Sequence, residues 1–103
     1  MYNAHIIYKF KEGMVEQGVS VWKEAVFSKI TQAEGFIRVQ LYTNGNEMMA
    51  LGTWQDKSYA ENFMKTGVFK DLMDTFGEYL EEVPLNKTYE LRYFESKDSS
   101  PKY

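Results

Sequence analysis

Gly35-Phe36-Ile37-Arg38-Val39-Gln40-Leu41-Tyr42-Thr43, Asn44-Gly45-Asn46 and Glu47-Met48-Met49-Ala50-Leu51-Gly52-Thr53-Trp54 follow one another without a break. Two β-rich runs joined across an Asn-Gly pair are a strong hairpin signal, because Asn and Gly tolerate the positive φ of tight hairpin turns. With Asn44-Gly45 as a two-residue turn, Leu41 falls opposite Met48, Val39 opposite Ala50 and Ile37 opposite Gly52, while Arg38 faces Leu51 and Gln40 faces Met49. A four-residue loop keeps these two faces, and a three-residue loop exchanges them.

One face then reads Ile37, Val39, Leu41, Met48, Ala50, Gly52 and Trp54, apolar with small residues in its middle. It calls for a helical layer, with room for close approach of helices or a ligand. The other carries Phe36, Arg38, Gln40, Tyr42, Glu47, Met49, Leu51 and Thr53, too apolar for plain solvation and too polar for an ordinary core. Such a face predicts a contact with a second copy, through Phe36, Arg38, Gln40, Tyr42, Met49 and Leu51. A solvated face with scattered hydrophobics is the alternative.

Before the hairpin, residues 4–11 alternate as a half-buried strand, with Ile6, Tyr8 and Phe10 on one side and His5, Ile7 and Lys9 on the other. Glu12-Gly13 breaks the strand. Val15, Val19, Trp22, Val26, Ile30 and Ala33 then fall at helical spacing, predicting a helix from Met14 to Ala33 despite Gly18. Gly35 closes it.

After Trp54, Asp56 is placed to cap a short helix bearing Tyr59, Ala60 and Phe63, which Thr66-Gly67 interrupts. A third helix from Val68 to Glu82 carries Phe69, Leu72, Met73, Phe76 and Leu80 on one stripe, and Pro84 ends it. Leu85 to Phe94 reads as the last strand, and residues 96–103 as a mobile tail beyond one domain of residues 1–95. The order β-α-β-β-α-α-β is the ferredoxin-like split βαβ arrangement, an α+β fold. Right-handed crossovers place the first and third strands centrally in a four-stranded antiparallel sheet, with all helices on one face.

A chain of 103 residues is long enough for one domain to bury about 60 to 65% of its unfolded surface. It has no cysteine and one histidine, which excludes disulfides, thiolate chemistry, His-rich metal clusters and a Ser-His-Asp triad within one chain. The net charge of -3, with scattered lysines, argues against nucleic acid as a partner. No run of apolar residues is long enough for a membrane span and no leader pattern opens the chain, so a cytoplasmic protein is predicted. Aromatic residues make up 17% of the chain, enough to supply both a core and an aromatic-lined pocket.

Glu34-Gly35-Phe36-Ile37, Leu51-Gly52-Thr53-Trp54-Gln55-Asp56-Lys57 and Phe63-Met64-Lys65-Thr66-Gly67-Val68-Phe69-Lys70, taken in this order and spacing, resemble the antibiotic biosynthesis monooxygenase (ABM) family over most of residues 4–94. The resemblance implies a homodimeric α+β barrel. It also implies one of two chemistries: oxidation of polycyclic phenols by O₂ with neither flavin nor metal, or haem degradation. The haem-degrading branch acts through an Asn, a Trp and a His, and the matching positions here are Ile6, Phe63 and Met73. With that set missing, the reading is a monooxygenase without cofactor, acting on a small hydrophobic or aromatic compound. A non-catalytic ligand-binding or stress-associated dimer is the alternative, and a haem-binding protein the third.

For the oxygenase, His5 is the candidate base, histidine being the residue type that titrates near neutrality. Trp54, Tyr59, Phe63, Phe69, Met73 and Phe76 are the candidate pocket wall, with Asn62 supplying a polar group. The same aromatic stripe at helical spacing is also what a plain core needs.

Overall fold

Four strands, β1 (Tyr2–Lys9), β2 (Phe36–Asn44), β3 (Glu47–Trp54) and β4 (Leu85–Glu90), form one antiparallel sheet in the spatial order β2-β3-β1-β4. The computed structural model describes residues 1–95 and Lys97; the tail expected over 96–103 otherwise lies outside the described residues. The first and third strands are central, as the crossover rule requires. One sheet face is covered by α1 (Val15–Trp22), a π-helical turn (Lys23–Phe27), α2 (Ser28–Ile30), α3 (Lys57–Met64) and α4 (Val68–Phe76). Among the described residues no helix is long and apolar enough to cross a membrane.

The hairpin keeps its two faces, but its register differs by two residues. Asn44 pairs with Glu47, so the turn is Gly45-Asn46, and Leu41 lies opposite Ala50 and Val39 opposite Gly52. Gly45 alone in this turn has a positive φ, 61°, which suits a turn needing that conformation at its first central residue only. Asn44 is thereby spared a left-handed backbone and stays in the strand. Phe10 N–H donates to the Asn46 carbonyl at 2.8 Å and ties the turn to the end of β1.

A β-bulge between Phe36 and Arg38 corrects a second expectation. The extra residue, Ile37, lets Phe36 pair with Trp54, and their rings meet edge-to-face at 5.9 Å. Phe36 therefore packs against the core under the helices, not on the open face, and Ile37 is not among the hydrophobics packed there. Arg38, Gln40, Tyr42, Met49 and Leu51 remain on the uncovered face, where His5 pairs with Leu51 and Ile7 with Met49.

The helices also depart from expectation for local reasons. The long first helix contains the π turn and ends at Ile30. The third stops at Phe76 and continues only as a 3-10 turn, Gly77–Tyr79. Backbone bonds of 2.8 Å from Lys11 to Tyr79 and from Glu81 to Lys9 draw the chain into a bridge between Phe10 and Leu80, and helix and bridge cannot share those groups. Strand β4 ends at Glu90 because its partner there, Tyr2, begins β1. Asp56 caps α3 as expected: its backbone is extended and its carboxylate accepts from Ser58 N–H at 3.3 Å and Ser58 Oγ at 2.8 Å.

Candidate active site

Strand alternation sends Ala4, Ile6 and Tyr8 of β1 and Ala50, Gly52 and Trp54 of β3 toward the helices. Above them stand Trp22, Val26 and Ile30 from the first helical run, Phe63 and Met64 from α3, and Phe69 and Leu72 from α4. Because the strand residues in the middle are small, the helices do not close completely on the sheet. They leave a cavity of about 50 Å³. A buried water needs about 10–15 Å³ by this measure, whereas an apolar cavity that accepts benzene measures about 150 Å³. The cavity as it stands suits a diatomic molecule or a small substituent, and a ring system enters only if a side chain gives way.

Among the described residues the lining is apolar but for Tyr8 and the two tryptophans, Trp22 and Trp54. Tyr8 is fully buried, its ring packed against Phe76 at 5.4 Å, and its hydroxyl has no hydrogen-bond partner among the described residues. Burial pushes the phenol's pKa far up; the nearby Trp22 indole opposes this weakly without reaching hydrogen-bonding geometry. Tyr8 is thus a neutral donor throughout the physiological range. Orphaned buried hydroxyls are uncommon, and this one belongs to a residue of the cavity wall.

Of the residues expected from sequence, Trp54, Phe63 and Phe69 line this cavity, and the Trp54 and Phe63 rings lie 5.4 Å apart. Tyr59 packs instead against Gly35, Asn62 is exposed, and Met73 and Phe76 join the core without reaching the cavity wall. His5 lies on the opposite side of the sheet, edge-on to Tyr89 at 5.1 Å. The sheet separates its imidazole from the cavity, so it cannot act as a base there. Tyr8 and Trp22 were missed; alternation and helical spacing placed both facing inward, but nothing in a sequence reports that a buried hydroxyl lacks a partner. Among the described residues no cluster of three or more His, Cys, Asp or Glu side chains is arranged to hold a metal.

The family model described as antibiotic biosynthesis monooxygenase matches residues 1–75. The chain belongs to the antibiotic biosynthesis monooxygenase family. The match runs from β1 nearly to the end of α4 and takes in every residue lining the cavity, but leaves out β4. No curated protein sequence matches the chain.

Solved structures share the family's fold. A monooxygenase from the ActVA-Orf6 gene of Streptomyces coelicolor, in complex with nanaomycin D, superposes with a TM-score of 0.80 at 14% identity, over 94% of this chain and 92% of that one. A variant of SnoaB, a cofactor-independent oxygenase from Streptomyces nogalater, gives 0.76 at 13% identity over 95% and 97%. A conserved protein from Methanosarcina mazei gives 0.76 at 17% identity over 88% and 92%. At these identities the likeness is one of fold.

Haem, which one branch of the family binds, does not fit this site. The positions that would carry the Asn, Trp and His hold Ile6, Phe63 and Met73, and Met73 does not reach the cavity.

Proposed function

We propose that this ABM-family chain is a monooxygenase for a small hydrophobic or aromatic compound, working without metal or flavin. The observation that carries the reading is the apolar cavity whose wall includes Tyr8, a buried neutral phenol with no hydrogen-bond partner among the described residues. Among the described residues no carboxylate or imidazole lines it, so the substrate enters already ionised or loses its proton elsewhere. In such a reaction the substrate supplies the electrons: a ring CH₂ becomes a carbonyl, one atom of O₂ enters the product and the other leaves as water. Tyr8 donates a hydrogen bond to the oxygen on which charge develops, and the apolar wall keeps water from the reactive intermediate. The test is oxygen uptake by the purified chain with a panel of anthrones and polyphenols, read against Tyr8→Phe. Uptake that Tyr8→Phe slows supports the reading; no uptake with any member that binds defeats it.

The lack of a base in the cavity favours a second reading, a binding protein on the same scaffold, since fold does not fix function. Binding of the same panel with no oxygen consumed identifies that case. In either reading the chain works as a homodimer closed through the uncovered sheet face.

A further inference from the structure

Beside the cavity, between α3 and the β1–β4 edge of the sheet, runs an open groove of about 440 Å³. That volume lies within the range of about 300–1,000 Å³ usual for small-molecule sites, which the inner cavity does not reach. Groove and cavity share three lining residues, Ala4, Ala60 and Met64. Two are alanines, so the only long side chain between the spaces is Met64, an unbranched thioether that changes rotamer readily. It is the last residue of α3, next to the Thr66-Gly67 break that separates the helix from α4.

The rim of the groove is charged. Lys57 and Glu61 stand one turn apart on α3, Lys65 follows one turn on at its C-cap, and Asn86 and Thr88 line the groove from β4. Among the described residues neither lysine forms an ion pair. The rim thus offers two ammonium groups, one carboxylate, an amide and a hydroxyl, a net positive edge on a passage that leads to an apolar interior.

We propose that the ligand enters through this groove past Met64, as an aromatic anion whose ring displaces the Met64 side chain into the gap while Lys57 and Lys65 hold its charged substituent. The inference rests on the ligand cavity of the proposed function and adds to it the entrance, the gate and the charge of the ligand. It also accounts for a cavity that is too small when closed: groove and cavity become one site once Met64 turns aside.

Two fluorescent probes test this on the intact chain, anilinonaphthalene sulfonate and its uncharged counterpart phenylnaphthylamine. The sulfonate is expected to bind saturably, and Lys57→Gln/Lys65→Gln to weaken it about fivefold, the sum of two exposed ion pairs, while leaving the uncharged probe unchanged. Added salt should act in the same direction as the double substitution. Met64→Ala is expected to speed association of both probes. Sulfonate binding indifferent to both lysines, or association rates unchanged by Met64→Ala, overturns the proposal. The double-lysine variant alters only exposed side chains, so the test does not depend on Met64→Ala folding well. Oxygen uptake is not part of the readout: a chain that passes here but consumes no oxygen keeps its entrance and loses its oxygenase assignment, and the reverse result does the opposite.

Discussion

A phenol buried without a hydrogen-bond partner destabilises the fold that holds it, by about 1–3 kcal/mol. Tyr8 is in that position. Tyr8→Phe is therefore expected to raise stability at neutral pH by about 1 kcal/mol in denaturant titration, while slowing turnover or weakening ligand binding. Opposite signs for stability and function are what a purely structural tyrosine does not produce. The raised phenol pKa adds a pH signature: the folded chain keeps Tyr8 protonated where the unfolded chain ionises it, so stability falls as pH climbs past about 10. That part of the alkaline decline should be missing from Tyr8→Phe. Asp56 behaves in the opposite sense. Its hydrogen bonds from Ser58 hold the carboxyl below its usual pKa, so its contribution is complete above the ordinary carboxylate range and is lost as pH falls through the depressed value. Asp56→Ala should lower the melting temperature at neutral pH, and the deficit should shrink as pH falls below the ordinary carboxylate range and the capping carboxylate is protonated in the parent.

At the scale of elements, Gly18 shows a local rule overridden by packing. It lowers the propensity of α1, yet a Cβ there would clash with the Phe10 ring, itself wedged in the core against Phe76 at 5.4 Å. Gly18→Ala is accordingly expected to cost about 1–3 kcal/mol, despite the helix propensity gained, and a thermal melt decides the sign. The inward face of that helix was readable because Trp22, Val26 and Ile30 recur every four residues. In a regular α-helix such a series drifts by about 40° per step. The wider π turn at Lys23–Phe27 absorbs the drift and keeps all three on the cavity, a device that apolar spacing does not disclose. The hairpin was legible in the same partial way. Alternation fixed which residues face the helices from Arg38 onward, but the choice between Asn44 and Gly45 for the positive φ, and the bulge at Ile37, depend on a fine balance of backbone energies. Trp54, Phe63 and Phe69 were legible as pocket wall from their faces alone. Met73 and Phe76 share the stripe of Phe69 but pack further from the cavity, because helical spacing gives a direction and says nothing of position along the core.

For the whole molecule, the decisive feature is that, among the described residues, nothing covers one side of the sheet. His5, Ile7, Met49 and Leu51 occupy its centre, and Tyr42, Leu85 and Tyr89 toward its edges are 45%, 52% and 49% exposed. Four strands about 4.8 Å apart and eight residues rising about 3.3 Å each make a face of about 19 by 26 Å, or about 500 Å² when flat. Side-chain relief enlarges it toward the roughly 800 Å² per partner of a standard interface. The helices cannot reach it, since both crossovers keep them on the other side. The expected cover is a second copy, because a two-fold contact joins a patch to itself and can set a mixed apolar and polar face against the same face of its partner. Light scattering during gel filtration should return twice the 12.1 kDa mass of the chain. Leu51→Glu, which places a carboxylate at the centre of this face, should yield a monomer with unchanged circular dichroism, since burying that charge in the contact costs more than the apolar area of Leu51 contributes. A parent chain that runs as a monomer at about 100 μM, well above the Kd of an ordinary stable interface, would show that the open face is solvated after all.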